Sequence, residues 1–204
     1  MRLPSLVGLP AESHEYYAQG MWKNGRNITW MGSKRYLPLP LHEVEFSGGY
    51  PNDDGVNLMH DVSPAGALAP ETRALLALVQ EEIIDGCLNM HGWPMSPLLL
   101  PHASHAPPEY GAHNLQLAER VHGRLQAEGL RPGPIVPGLD LARGSFNLPS
   151  AMHHTSGCLS VCFETAHGLS EDPYSYEELL DMQLLVFEET MRFGVQCRFR
   201  PEVR

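Results

Sequence analysis

Residues 83–93 (IIDGCLNMHGW) constrain the fold of this chain more than any other stretch. They form a short apolar run that ends in a histidine followed by a glycine. Such runs are typical of buried strands, and open α/β sheets bind their ligands at the carboxyl ends of strands. The pattern therefore predicts a buried strand over residues 86–90, with His91 as the functional residue at its end. The alternative is a histidine that only bonds a backbone carbonyl.

Helical and strand patterns alternate along the chain. Residues 70–82 begin with a proline and a glutamate and carry a periodic apolar face, and residues 114–128 and 174–193 show the same periodicity. Residues 158–164 alternate like a central strand and end in Glu164. This alternation predicts an α/β domain with an open, mixed and largely parallel sheet flanked by helices.

Composition narrows the class of partner and the compartment. A chain of 204 residues is long enough for one domain, and a formal charge of −10 argues against nucleic acid or an anionic membrane as partner. No apolar run approaches the roughly 20 residues of a membrane span, and the amino terminus lacks the core of a signal peptide. The four cysteines lack CxxC spacing and are predicted to be small buried residues in a reducing compartment, which favours the cytoplasm.

Four short segments occur in an order that matches a known family. They are DGVNLMHDV at residues 54–62, PETRAL at 70–75, CLNMHG at 87–92 and VCFE at 161–164. Together they resemble the carboxyl-terminal two-thirds of the catalytic domain of the M14 zinc carboxypeptidases. His91 matches a histidine that ligates zinc in that family, and Glu164, 73 residues later, matches the catalytic glutamate.

The resemblance implies a zinc-dependent hydrolase of peptide or amide bonds. Its substrates would be peptides or acylated amino acids, with Glu164 as the general base and His91 as a metal ligand. Lys23 follows Trp22 at the place of the arginine that steadies the oxyanion in the family. A solvated surface lysine is the alternative for Lys23.

The resemblance also implies substrate contacts at other positions, and some of these depart from the family pattern. Met59 and His60 stand where the family has an asparagine and an arginine that grip the terminal carboxylate of the substrate. His60 is therefore a weaker substrate contact, because neutral imidazole is a poor replacement for guanidinium. Tyr174 or Tyr176 matches the mobile tyrosine of the family, with a core or capping tyrosine as the alternative.

The metal-binding HxxE motif of the family has no counterpart in the right place. His42 and Glu45 have its spacing, but they follow the tryptophan and basic segment instead of preceding it, so a solvated loop is the better interpretation. The chain thus resembles a domain without its amino-terminal third and with a single recognisable zinc ligand. We expect the isolated chain to bind zinc weakly or not at all and to show little activity.

Two other functions stay open. One is a catalytically inactive, carboxypeptidase-like binding protein, and the other is an M14-type deacylase of acylated amino acids. The oligomeric state is also open. Two other groups of histidines carry less specific patterns: the set His102, His105, Glu109 and His113 is predicted to be a polar rim loop broken by two prolines, and His153 and His154 are predicted to start a strand.

Overall fold

The protein is a mixed α/β structure, which confirms the predicted class. The computed structural model describes residues 13, 15–29, 36–93, 98–101, 105–135, 146–166 and 174–197. Within them the strands are β1 (Met21–Trp22), β2 (Val44–Phe46), β3 (Val62–Ser63), β4 (Gly66–Ala67), β5 (Gly86–Trp93), β6 (Leu98–Pro101) and β7 (Leu159–Ala166). The helices are α1 (Pro70–Glu82), α2 (Pro108–Ala127), α3 (Leu148–Ser156) and α4 (Tyr176–Gln196), with one π-helical turn at Glu15–Gln19 and one 3₁₀ turn at Leu41–Glu43.

Helix α1 has the bounds that the sequence predicts. Proline occupies its first turn, where the missing N–H costs no hydrogen bond, and Glu71 faces the positive end of the helix dipole. Ile83 adopts a left-handed conformation with φ of 48° and ends the helix. The chain then enters β5.

Helix α2 starts earlier than predicted, at Pro108. The prediction that this proline breaks the helix was wrong, because a proline in the first turn starts a helix and does not interrupt one. Glu109 and His113 therefore lie on the helix, whereas His105 precedes it and His102 lies outside the described residues.

Helix α3 replaces the strand start that was predicted at His153 and His154. The side chain of Asn147 accepts a hydrogen bond from the backbone N–H of Ser150 at 3.2 Å and so caps the helix. Gly157, with φ of 72°, ends it in the left-handed conformation. Both signals are local, and together they override the strand interpretation.

Helix α4 begins after a capping box in which Ser175 and Glu178 satisfy each other's backbone N–H groups. It continues to Gln196, so the predicted end at residue 193, before Gly194, was wrong. A glycine inside a helix costs only about 1 kcal/mol relative to alanine. Here α4 packs on α2, where the Arg120 Nε donates to the Glu189 Oε1 at 2.8 Å.

The main sheet has three strands in the order β5-β7-β6. β5 pairs with β7 in parallel, and β6 pairs with β7 in the antiparallel direction. In the described part of the chain β5 is thus an edge strand, and its residues 87–92 are half-buried where full burial was predicted for residues 86–90. β7 is central, as its composition predicts.

The two faces of the sheet pack against different helices. Leu88, Met90, Val161 and Phe163 alternate along β5 and β7 and face α2 and α4 in the larger core. The helices contribute the following buried residues to it: Leu117, Val121, Leu125, Met182, Val186 and Phe193. Cys87 and Cys158 belong to the smaller core with Val79 of α1 and Met152 of α3. The smaller core involves only the amino-terminal part of β5, so α1 and α3 meet that end of the sheet.

Every helix in the described ranges is too short or too polar to cross a lipid bilayer.

Candidate metal centre

His91 and Glu164 are direct partners in the parallel ladder between β5 and β7. Asn89 and Cys162 are the preceding pair that points the same way, because side chains two residues apart share a face of a sheet. His91 and Glu164 were predicted to end their strands. This was wrong, because β5 and β7 both continue for two more residues. The pairing nevertheless joins the two residues that the sequence singled out.

Three side chains in this patch offer metal-ligand atoms close together. One ring nitrogen of His91, the Sγ of Cys162 and one carboxylate oxygen of Glu164 lie within 4.8 Å of one another. The thiol of Cys162 donates to the Glu164 Oε1 at 3.8 Å. We call His91, Cys162 and Glu164 the three-donor group. It is the one such group among the residues that the structure describes.

The three-donor group fits zinc in the kind of its donors. Imidazole nitrogen, thiolate sulfur and carboxylate oxygen are the usual protein ligands of zinc. Ligand atoms around tetrahedral zinc lie roughly 3.3–3.8 Å apart, so the group would have to close by about 1 Å. Cys162 is a candidate ligand that the sequence did not suggest, and the expected weakness of zinc binding remains a prediction.

Burial shifts the ionisation of two members of the group in opposite directions. Burial lowers the pKa of His91, which keeps the imidazole neutral near pH 7 with a lone pair available. Burial, followed by the nearby negative charge of Glu164, raises the pKa of Cys162. The side chain of Cys162 is only 1% exposed, whereas His91 and Glu164 are half-buried. The more accessible side of the three-donor group thus consists of the neutral ring of His91 and the carboxyl group of Glu164.

Tyr50 approaches the same group from a loop. Burial raises the pKa of its phenol most, and the charges of Glu164 and then Cys162 raise it further. The loop is held by its backbone, because the Tyr50 N–H donates to the carbonyl of Ala18 at 3.1 Å. It is also held by Asn52, whose amide donates to the Glu71 Oε1 on α1 at 3.1 Å. The sequence carries no local signal for this residue, since only the packing of the loop brings it to β7.

A cleft of about 380 Å³ opens beside His91 at the start of α4. Its other lining residues are Gly92, Thr165, Tyr176, Leu179, Leu180 and Gln183. The amide of Gln183 donates to the Thr165 hydroxyl at 3.3 Å and so links α4 to β7. Thr165 thus faces α4, on the opposite face of β7 from Glu164, and Tyr176, which was predicted to contact substrate, lines the same cleft as His91.

Tyr174, the other predicted candidate, has a structural role. It is 7% exposed, and its hydroxyl donates to the carbonyl of Arg131 at 3.0 Å. The guanidinium of Arg131 stacks 4.1 Å from the centre of its ring. These contacts hold Tyr174 in the larger core, as the alternative interpretation had it, and its role as a substrate contact remains a prediction.

Lys23 and His60 are described but lie in other local networks. Lys23 is exposed in the turn after β1, and its backbone N–H donates to the carbonyl of Glu43 at 2.9 Å. His60 ends a turn in which its N–H donates to the carbonyl of Asn57 at 3.0 Å. Their roles at the oxyanion and the substrate carboxylate remain predictions.

The remaining histidine motifs have simpler explanations. The side chain of His42 is 79% exposed and lies 3.5 Å from the carboxylate of Glu43, while Glu45 is exposed on β2, in agreement with a solvated loop. His153 is buried, and its Nδ1–H donates to the carbonyl of Cys158 at 2.9 Å while its ring packs on Tyr110. His153 is therefore part of the packing between α3 and its neighbours.

Comparison of the chain with known proteins gave no matching family model, no matching curated protein and no matching solved structure.

Proposed function

We propose that this chain carries the reaction centre of a zinc-dependent hydrolase of peptide or amide bonds. In this proposal His91 ligates the metal and Glu164 is the general base. The observation that supports it best is the position of His91 opposite Glu164 on adjacent parallel strands, with the donor atoms of both within 4.8 Å. The same two residues are the ones that resemble functional positions of the M14 carboxypeptidases.

The residues of the centre have the properties that such a reaction needs. Zinc, when bound, polarises a scissile carbonyl and acidifies a water molecule. Glu164 is accessible enough to take the proton of that water and to pass it to the leaving amine. His91 is kept neutral by burial, and only the neutral ring can ligate a metal through its lone pair.

Tyr50 is a stronger candidate than Lys23 to stabilise the oxyanion of the tetrahedral intermediate. Its phenol lies within electrostatic reach of Glu164 and Cys162, and its raised pKa keeps the phenol protonated as a hydrogen-bond donor. Such a donor acts most strongly where water is excluded. In this proposal the phenol O–H of Tyr50 therefore takes the role at the oxyanion that the sequence assigned to Lys23.

The cleft beside His91 favours a deacylase over a carboxypeptidase. Its lining combines the apolar Leu179 and Leu180 with the neutral hydrogen-bonding groups of Tyr176 and Gln183. A substrate carboxylate would call for a cation, and the described residues that line the cleft include no lysine or arginine to supply one. We therefore propose acylated amino acids as the first substrate class to examine, with the acyl group entering this cleft past His91 on the edge strand β5.

The absence of disulfides among the described cysteines supports a cytoplasmic location for this activity. All four are thiols in the structure, and cysteines persist as thiols in reducing compartments.

The proposal is tested by zinc analysis of chelator-treated, reloaded protein, together with hydrolysis of acylated amino acids and short peptides. In contrast to the weak binding expected from the sequence alone, this proposal predicts one zinc per chain and zinc-dependent hydrolysis, both lost in His91→Ala. The matched control is His122→Ala on α2, which should keep both. Full zinc loading in His91→Ala would overturn the proposal. Zinc binding without hydrolysis of any substrate would favour the catalytically inactive binding protein.

A further inference from the structure

We propose that Cys162 is a zinc ligand, so that the metal is held by a histidine and a thiolate from neighbouring strands. The inference rests on the proposed function, because it concerns the same metal. Cys162 has no counterpart among the ligands that the sequence pattern suggested, which were one histidine and an HxxE string. It arises only from the geometry of the sheet.

The placement of Cys162 follows from strand periodicity. Glu164 is two residues further along β7, so both side chains project from the same face, and His91 lies opposite Glu164 on β5. Cys162 is therefore the diagonal neighbour of His91 within one patch. A ligand pair that is anchored on two hydrogen-bonded strands is held rigidly, which suits a metal site.

The chemistry of the sulfur favours a borderline or soft divalent ion. Thiolate and imidazole together select zinc or cobalt over magnesium or calcium, which prefer oxygen ligands. With sulfur and nitrogen as ligands, the carboxylate of Glu164 is available to act as the base. Its Oε1 lies 3.8 Å from the Sγ of Cys162. Cys162 thus allows the metal to be held without using Glu164 for that purpose.

Two other roles for this thiol fit the structure less well. A nucleophilic cysteine has to reach the substrate, but Cys162 is 1% exposed and its thiol donates to a carboxylate. A purely structural thiol would not need a histidine and a glutamate beside it. Ligation of the metal by Cys162 and His91, with Glu164 as the base, gives each of the three side chains a function.

The test uses cobalt as a spectroscopic substitute for zinc in the full chain. We expect the Co²⁺-loaded protein to show a thiolate-to-cobalt charge-transfer band in the near ultraviolet. Cys162→Ser and Cys162→Ala should lose this band, and their zinc affinity should fall by more than about 100-fold, the upper end of the loss seen for residues that only support a ligand. Thermal melts of each variant show that the fold is kept.

The controls separate this inference from the proposed function. Cys158→Ala removes another buried thiol of β7's amino-terminal flank and should keep the band, as should Cys197→Ser at the end of α4. A band and affinity that survive in folded Cys162→Ser would overturn the inference and leave the proposed function standing. A wild-type chain that binds neither metal would overturn both. If Glu164→Gln also loses the metal, Glu164 is a ligand and the general-base assignment fails, whereas loss of the band in Cys162→Ser still supports the thiolate.

Discussion

His91 and Glu164 face each other across the parallel pairing of β5 and β7, with their donor atoms within 4.8 Å. Parallel pairing places equivalent residues of two strands on the same face, so an acid and a histidine meet without any contribution from loops. The spacing of 73 residues between them along the chain contains two of the helices, α2 and α3. The relationship therefore depends on the register of the sheet.

The first prediction concerns Glu164→Gln. The change removes the base but keeps the size of the side chain and its place opposite His91. We expect kcat for hydrolysis to fall roughly 10²- to 10⁴-fold, the usual contribution of a positioned base, with zinc content unchanged. Steady-state kinetics and zinc analysis on the same sample measure both. Unchanged kcat in a variant with full zinc would contradict the role of Glu164.

The second prediction concerns Tyr50→Phe, which deletes only the phenolic hydroxyl. If Tyr50 donates to the oxyanion, kcat should fall by roughly 10²- to 10³-fold, while KM and zinc content stay close to wild type. Tyr36→Phe is the matched control, because Tyr36 is 41% exposed and its ring makes an edge-to-face contact with Trp22. A parallel experiment with Lys23→Met tests the earlier assignment, since a larger loss there than in Tyr50→Phe would restore Lys23 as the oxyanion partner.

The sequence predicted those elements whose determinants are local. α1 has the predicted bounds because its first-turn proline, its acidic residue and its apolar face all lie within the segment itself. α3 has equally local signals in Asn147 and Gly157. It was not predicted, because His153 and His154 were assigned to the start of the strand that follows. The central place of β7 was predicted, but the edge position of β5 was not, because its apolar run is as typical of a buried strand as that of β7 and only the strand order of the sheet separates them.

The candidate site was predictable only in part. His91 and Glu164 stood out as polar residues that follow apolar runs. Cys162 was predicted as a small buried residue, which is correct, but its distance of two residues from Glu164 already placed both on one face. Tyr50 comes from a loop, and only the tertiary fold brings its phenol within electrostatic reach of Glu164 and Cys162, so no local pattern marks it.

The third prediction concerns acid stability and His153. Burial lowers its pKa, the hydrogen bond to the carbonyl of Cys158 raises it by less, and the neighbouring His154 lowers it again. The folded chain therefore binds a proton here less readily than the unfolded chain, whose histidine pKa is about 6.5. The stability contribution is fully present above that value and is lost as the pH falls from the unfolded pKa towards the folded one.

Denaturant unfolding tests this dependence at several pH values between about 7.5 and 5, a range that spans the unfolded histidine pKa. His153→Gln should lose about 1–3 kcal/mol at neutral pH, because a buried polar contact is replaced imperfectly, but it should show a flatter dependence on pH. His42→Gln is the control, since that side chain is exposed and its loss should leave the pH dependence unchanged. An equally steep acid loss in His153→Gln would assign the effect to another group, with His91 as the next candidate.

The last prediction compares the two tyrosines at the start of α4 through one identical change. Tyr174→Phe removes the donor to the carbonyl of Arg131 but keeps the ring under the guanidinium, so we expect a loss of about 0.5–1.5 kcal/mol in the free energy of unfolding and unchanged kinetics. Tyr176 is 62% exposed and lines the cleft beside His91. Tyr176→Phe should therefore leave stability unchanged and raise KM for an acylated amino acid by roughly 2- to 10-fold, the effect of one lost hydrogen bond. Denaturant unfolding and steady-state kinetics on both variants give four values, and each tyrosine should change only one measurement. A change in KM with Tyr174→Phe and none with Tyr176→Phe would show that the substrate does not bind in this cleft.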